Sequence, residues 1–140
     1  MSRIYITLIS LLSLVLLPVY AQTQNPSPQG AELYFITPDD GATVTSPVTV
    51  KFGLKNMGVA PAGINVENTG HHHLLIDTGL PALNQPIPAD DKHVHFGKGQ
   101  TEATLDLAPG THTLQLLLGD HLHTPHNPPV MSKSITITVK

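Results

Sequence analysis

The 140-residue sequence has no cysteine and no tryptophan, 4% aromatic residues and 12% charged residues. Without cysteine there is no disulfide, so an ordered domain must rely on its core and its backbone ladders. Nor is there a thiolate to bind metal or a cysteine to carry a lipid anchor. Positive charge is scarce as well, with seven Lys and Arg against ten Asp and Glu. That balance argues against a nucleic-acid or anionic-membrane partner. No long 3.6-residue apolar periodicity appears, which argues against amphipathic helices.

Signs of catalysis are also missing. There is no nucleophile elbow and no Ser/His/Asp order. "GKGQT" (97–101) is too short for a phosphate loop and lacks the helix that must follow one. Asp90 and Asp91 are adjacent, and neighbours on a strand point opposite ways, so they read as a solvated turn and not as paired carboxylates. No enzyme activity is expected.

One apolar run stands out. Arg3 precedes "IYITLISLLSLVLLP" (4–18), and "VYA" then places Val19 and Ala21 at small-residue positions. A positive n-region, a short apolar core and such a site describe a cleaved signal peptide, residues 1–21. The expected mature chain begins at Gln22, is periplasmic or secreted, and keeps no membrane span. "QTQNPSPQG" (22–30) is polar and proline-rich and reads as a flexible leader. Residues 31–140 are enough for one small domain.

Within that domain, alternation dominates. "SPVTVKFGL" sets Val48, Val50, Phe52 and Leu54 on one face, with Thr49, Lys51 and Lys55 on the other. "EATLDL" turns Ala103, Leu105 and Leu107 inward; "THTLQLLL" does the same for His112, Leu114, Leu116 and Leu118; "SITITV" for Ile135, Ile137 and Val139. With "LYFI" and "HHLLI" this makes about seven strands, separated by "TPDDG", "NMGVAPAG", "LAPG" and "PHNPP". The pattern predicts an all-β fold, an antiparallel sandwich of immunoglobulin type. Two connections, Thr78–Gln100 and Gly119–Ser132, exceed ordinary hairpin loops, and both carry histidine.

Histidine is the abundant exception, with nine residues. Six of them form three His-x-His pairs: His71/His73, His93/His95 and His121/His123, with His126 three residues on. On a strand, residues i and i+2 project to the same side roughly 6.6 Å apart, so such a pair can chelate one ion. In the expected topology the B–C and F–G loops share an end, and strand E starts there too. All three pairs therefore converge on one rim, while His112, just past "LAPG", falls at the far end and reads as a ring hydrogen-bonded to the backbone. His72 shares a face with Leu74 and Ile76 and reads as buried.

Several neutral imidazoles without thiolate suit copper, zinc or nickel better than Mg²⁺ or Ca²⁺. Met131 could add a soft contact, although packing explains it as well. His71, His73, His93, His95, His121, His123 and His126 are thus candidate ligands for copper or zinc, and not all can hold one ion. The alternative is a hydrogen-bonded network joining the long loops to the sandwich, with Asp77, Asp90, Asp91 and Asp120 orienting the rings. On that view the rim serves an envelope protein. A third reading is a pH-responsive surface: protonating all nine histidines would take the mature chain from −4 to +5.

"GHHHLLID", "PADDKHVHFGKGQTEATLDLAPGTHTLQLLLGDHLHTPH" and "SITITV" resemble a family of secreted bacterial domains of unknown function, four-three-nine-nine in the usual numbering. The likeness covers about residues 45–139. It implies an exported all-β domain and no assigned reaction. "HVHFG" is also similar to the copper-ligand segment of copper–zinc superoxide dismutases, but their disulfide cysteines and spaced zinc loop are missing.

Overall fold

In the computed structural model, residues 23–140 are described; the signal-peptide expectation lies outside them. The described residues form an all-β structure of nine strands: β1 (Glu32–Thr37), β2 (Thr43–Val44), β3 (Val48–Lys55), β4 (Gly58–Val59), β5 (Thr69–Ile76), β6 (His93–His95), β7 (Glu102–Leu105), β8 (Gly110–Gly119) and β9 (Ile135–Val139). One sheet has the order β1-β3-β7. The other runs β2-β9-β8-β5-β4, with β6 also paired to β5. These two strand orders are consistent with an immunoglobulin-like sandwich.

The alternation seen in the sequence becomes burial. Along β3, Val48, Val50 and Phe52 are buried while Thr49 and Lys51 are exposed; along β9, Ile135, Ile137 and Val139 alternate with exposed threonines. One core joins both sheets, with Leu33, Val50 and Phe52 from the first and Leu74, Leu114, Leu116, Leu118 and Ile137 from the second. Such contiguous apolar packing stabilises a small domain that has no disulfide.

β5 departs from simple alternation, because its six central residues are all buried. Its inner face puts Leu74 into the main core and His72 against the Phe52 ring. Its outer face, His71, His73 and Leu75, is roofed by the long connections. Leu75 and Leu117 pack there with Ile87 and Leu83 in a second, smaller core. The Ile87 amide donates to the His123 carbonyl at 2.9 Å and joins the two roofing loops.

Two segments differ from their expected character. The connection Thr78–Gln100 is not wholly loop, since "HVH" forms β6 and pairs with β5 in the register His73↔His95 and Leu75↔His93. The segment read as a flexible leader is tethered: Asn127 donates its amide to the Asn25 carbonyl at 2.9 Å, and the Ser27 hydroxyl donates to the Pro128 carbonyl at 2.7 Å.

Candidate metal centre

Four imidazoles meet on the outer face of β5. His71 and His73 project together because they are two residues apart on a strand. His95 reaches them from β6, directly opposite His73 in the ladder. His123 comes from the turn after β8, bent back by a left-handed backbone (φ 69°). The His71 ring lies 4.7 Å from that of His73 and 5.0 Å from those of both His95 and His123, centroid to centroid. His95 and His123 are 4.7 Å apart on the same measure.

Two glycines leave room for these rings. A Cβ on Gly119 would sit 2.8 Å from the His73 ring, and one on Gly97 would overlap that of His95. Asp120 shapes the third arm. Its carboxylate accepts the amides of Leu122 (2.8 Å) and Thr124 (2.9 Å), closing the tight turn that carries His123.

The chemistry of the cluster lies in what its rings lack. His71 and His73 are 0% and 1% exposed, and neither nitrogen of either ring has a hydrogen-bond partner among the described residues. Leaving one buried polar group unsatisfied costs about 1–3 kcal/mol. Burial, reinforced by the neighbouring rings, pushes His71 down to about 4 and His73 to about 2. Burial also lowers His95, with His123 adding to it. The rings of His71 and His73 are therefore neutral at pH 7, each with one lone pair free of a proton.

His71, His95 and His123 each offer one nitrogen within 4.8 Å of the other two. With Zn–N bonds of about 2.0–2.1 Å, a tetrahedral ion sets its nitrogens about 3.4 Å apart, so closure by at most about 1.4 Å would seat it. The trio has the donors and the spacing to hold a metal ion, and His73 stands beside it as a further imidazole.

The remaining sequence candidates go elsewhere. His93 shares the face of β6 with His95, but its Nδ1 lies 2.8 Å from the Asp90 carboxylate. His121 is half-exposed outside the trio: "DHLHT" is a turn and not a strand, so the i, i+2 rule that paired it with His123 does not apply. His126 is buried with Nε2 donating to the Thr69 carbonyl at 3.2 Å, and burial lowers its pKa. His72 faces the core as expected, Nδ1 donating to the Gln100 carbonyl at 3.1 Å; burial pushes it down to about 4. His112 donates Nε2–H to the Ala108 carbonyl and Nδ1–H to Asp77, at 2.8 and 2.7 Å, and those acceptors raise its pKa. Of the rings that the alternative reading places in a hydrogen-bonded network, His93 bonds the Asp90 carboxylate, while His71 and His73 have no hydrogen-bond partner among the described residues.

Sequence reasoning puts the convergence on one end rim of the sandwich, between its long loops. It lies instead on the outer face of one sheet, beneath the loops. The same reasoning misses the seats at Gly97 and Gly119 and the Asp120 turn, although each lies within two residues of a histidine pair.

Residues 50–140 match the model of the family described as Domain of unknown function (DUF4399). The chain belongs to that family. The matched part of this DUF4399 chain contains all nine histidines and strands β4 to β9. No curated protein and no solved structure matches it.

Proposed function

We propose that this protein is an exported, non-catalytic binding module of immunoglobulin-like fold that takes up a transition metal, copper or zinc, for storage, delivery or sensing. The observation that carries this is the pairing of neutral, unpartnered, fully buried His71 with His95 and His123 at ligand spacing. An all-imidazole donor set suits zinc and copper. Protons compete poorly for His71 and His73, which supports uptake from a mildly acidic exterior. Export and a periplasmic or secreted location rest on the leader sequence "IYITLISLLSLVLLP" and its Val19/Ala21 site.

Titrating tag-free, full-length protein with Zn(II) and Cu(II) tests the proposal. One ion per chain should bind. At a free concentration a hundred times Kd it should add about 2.7 kcal/mol of stability, raising Tm by about 10 °C for a domain of this size. Binding no stronger than to a scrambled histidine-rich peptide rejects it.

Gly97→Ala offers a milder probe. The added methyl displaces the His95 ring, whose far end is free to swing toward solvent, so unfolding should shift by under about 1 kcal/mol. Metal affinity should fall tenfold or more. Unchanged affinity would mean that His95 is not a ligand.

A further inference from the structure

The segment ahead of β1 lies along the loop that carries His123. Asn25 Nδ2 donates to Asp120 Oδ2 at 3.0 Å, while Asp120 Oδ1 holds the amides of Leu122 and Thr124 on either side of His123. Asp120 is only 3% exposed, so Asn25 is one of few groups that reach it. Around this bond the contact is continuous. Gln24 Nε2 donates to the carbonyls of Leu83 and Pro125, one in each roofing loop. Pro26 bridges to Asn127, and the Ser27 amide donates to the Asn127 carbonyl at 3.4 Å.

Without this segment, one carboxylate oxygen of a buried aspartate would lose its donor, and the two loops would lose their shared clasp. His123 is the ligand most exposed to that loss. Its backbone sits in the left-handed region that non-glycine residues seldom occupy, and a turn of that kind persists only where its surroundings hold it.

We infer that residues 24–27 form a strap that completes the metal centre from outside, with Asn25 a positioning residue for His123 acting through Asp120. This rests on the metal-binding proposal for its effect on affinity, but not for its effect on the turn.

The test uses full-length protein carrying Asn25→Asp, alone and with Asp120→Asn. Asn25→Asp sets two carboxylates about 3 Å apart in place of a hydrogen bond, which is strongly unfavourable. Adding Asp120→Asn restores the bond with its direction reversed. The amide oxygen now at position 120 still caps Leu122 and Thr124, its NH₂ donates to the carboxylate now at position 25, and the net charge returns to that of the wild type. In metal-free protein, hydrogen exchange at the Leu122 and Thr124 amides should quicken about tenfold in the single variant and recover in the double. Zn(II) and Cu(II) affinity should fall 10- to 100-fold, the range seen when groups supporting a ligand are lost, and recover to within a few-fold. The Cu(II) resonance spectrum of the single variant should show one nitrogen fewer, which general loosening of the fold would not produce selectively.

Unchanged exchange at those amides overturns the strap whether or not metal binds. If the wild type binds metal and Asn25→Asp binds it equally tightly, or if Asp120→Asn fails to rescue a loss, the positioning role is overturned and the metal site stands. Failure of the wild type to bind either ion, with exchange responding as expected, removes the proposed function and keeps the strap as an element that orders the turn.

Discussion

Metal-free protein should lose about 6 kcal/mol of stability between neutral pH and pH 5. Buried His71, His72 and His73 have folded-state pKa values of about 4, 4 and 2, against 6.5 when exposed in the unfolded chain. Between those limits the unfolded chain binds more protons than the folded one, so stability rises with pH and falls as pH drops below 6.5. Each ring then costs about 1.4 kcal/mol per pH unit, or about 2 kcal/mol at pH 5. Three rings approach the entire stability of an ordinary small domain. His95 and His126, also lowered by burial, act with the same sign.

His112 acts the other way. Its raised pKa gives stabilisation that is complete below 6.5 and lost as pH climbs through the folded value. It is a single ring against five. Denaturant unfolding in the presence of a chelator, at pH 7, 6 and 5, should show a slope that steepens from under one proton at pH 7 toward about three at pH 5. Bound metal should raise stability at every pH and leave the profile at least as steep, since it keeps the ligand rings unprotonated in the folded state while the unfolded chain still takes up its protons. A slope below one proton at pH 5 would mean that the rings are solvated in the folded state.

The converse effect is expected of His71→Leu. Leucine is close to histidine in size and has no nitrogen to leave unsatisfied. The metal-free variant should gain about 1–3 kcal/mol, the cost of a buried polar group without a partner. About one third of the acid sensitivity should vanish with it. Metal affinity should drop by more than the 10- to 100-fold associated with outer supporting groups, because a donor itself is gone. A buried histidine kept for packing would give the opposite result, loss of stability with no change in metal response. Equilibrium unfolding with and without Zn(II), for wild type and variant, separates the two. A residue that destabilises the empty fold and stabilises the loaded one is retained for its ligand.

The all-β architecture can be read in advance because period-two alternation depends only on neighbours in the chain. Val48, Val50 and Phe52, or Ile135, Ile137 and Val139, declare their faces without knowledge of what packs against them. His72 and His112 are legible for the same reason. One shares its parity with Leu74, and the other sits beside a corner whose carbonyl at Ala108 it binds. Alternation fails at "DHLHT", where the side chain of Asp120 turns the backbone and separates His121 from His123. It cannot detect β6 either, because a three-residue strand exists only by virtue of the β5 edge it pairs with.

Residue order is enough to establish a disulfide-free β domain whose nine histidines ride on its strands and long loops. It does not establish which of them meet; that belongs to packing. His71, His73, His95 and His123 come together because β5 pairs with β6 in one register, because Gly97 and Gly119 leave space for two rings, and because a capped turn folds a third arm back. His93 and His126, equal candidates on spacing, are drawn off by Asp90 and the Thr69 carbonyl. Ligand geometry is a matter of about an ångström between residues dozens of positions apart, and that distance is set by packing and register, not by the local periodicity a sequence displays.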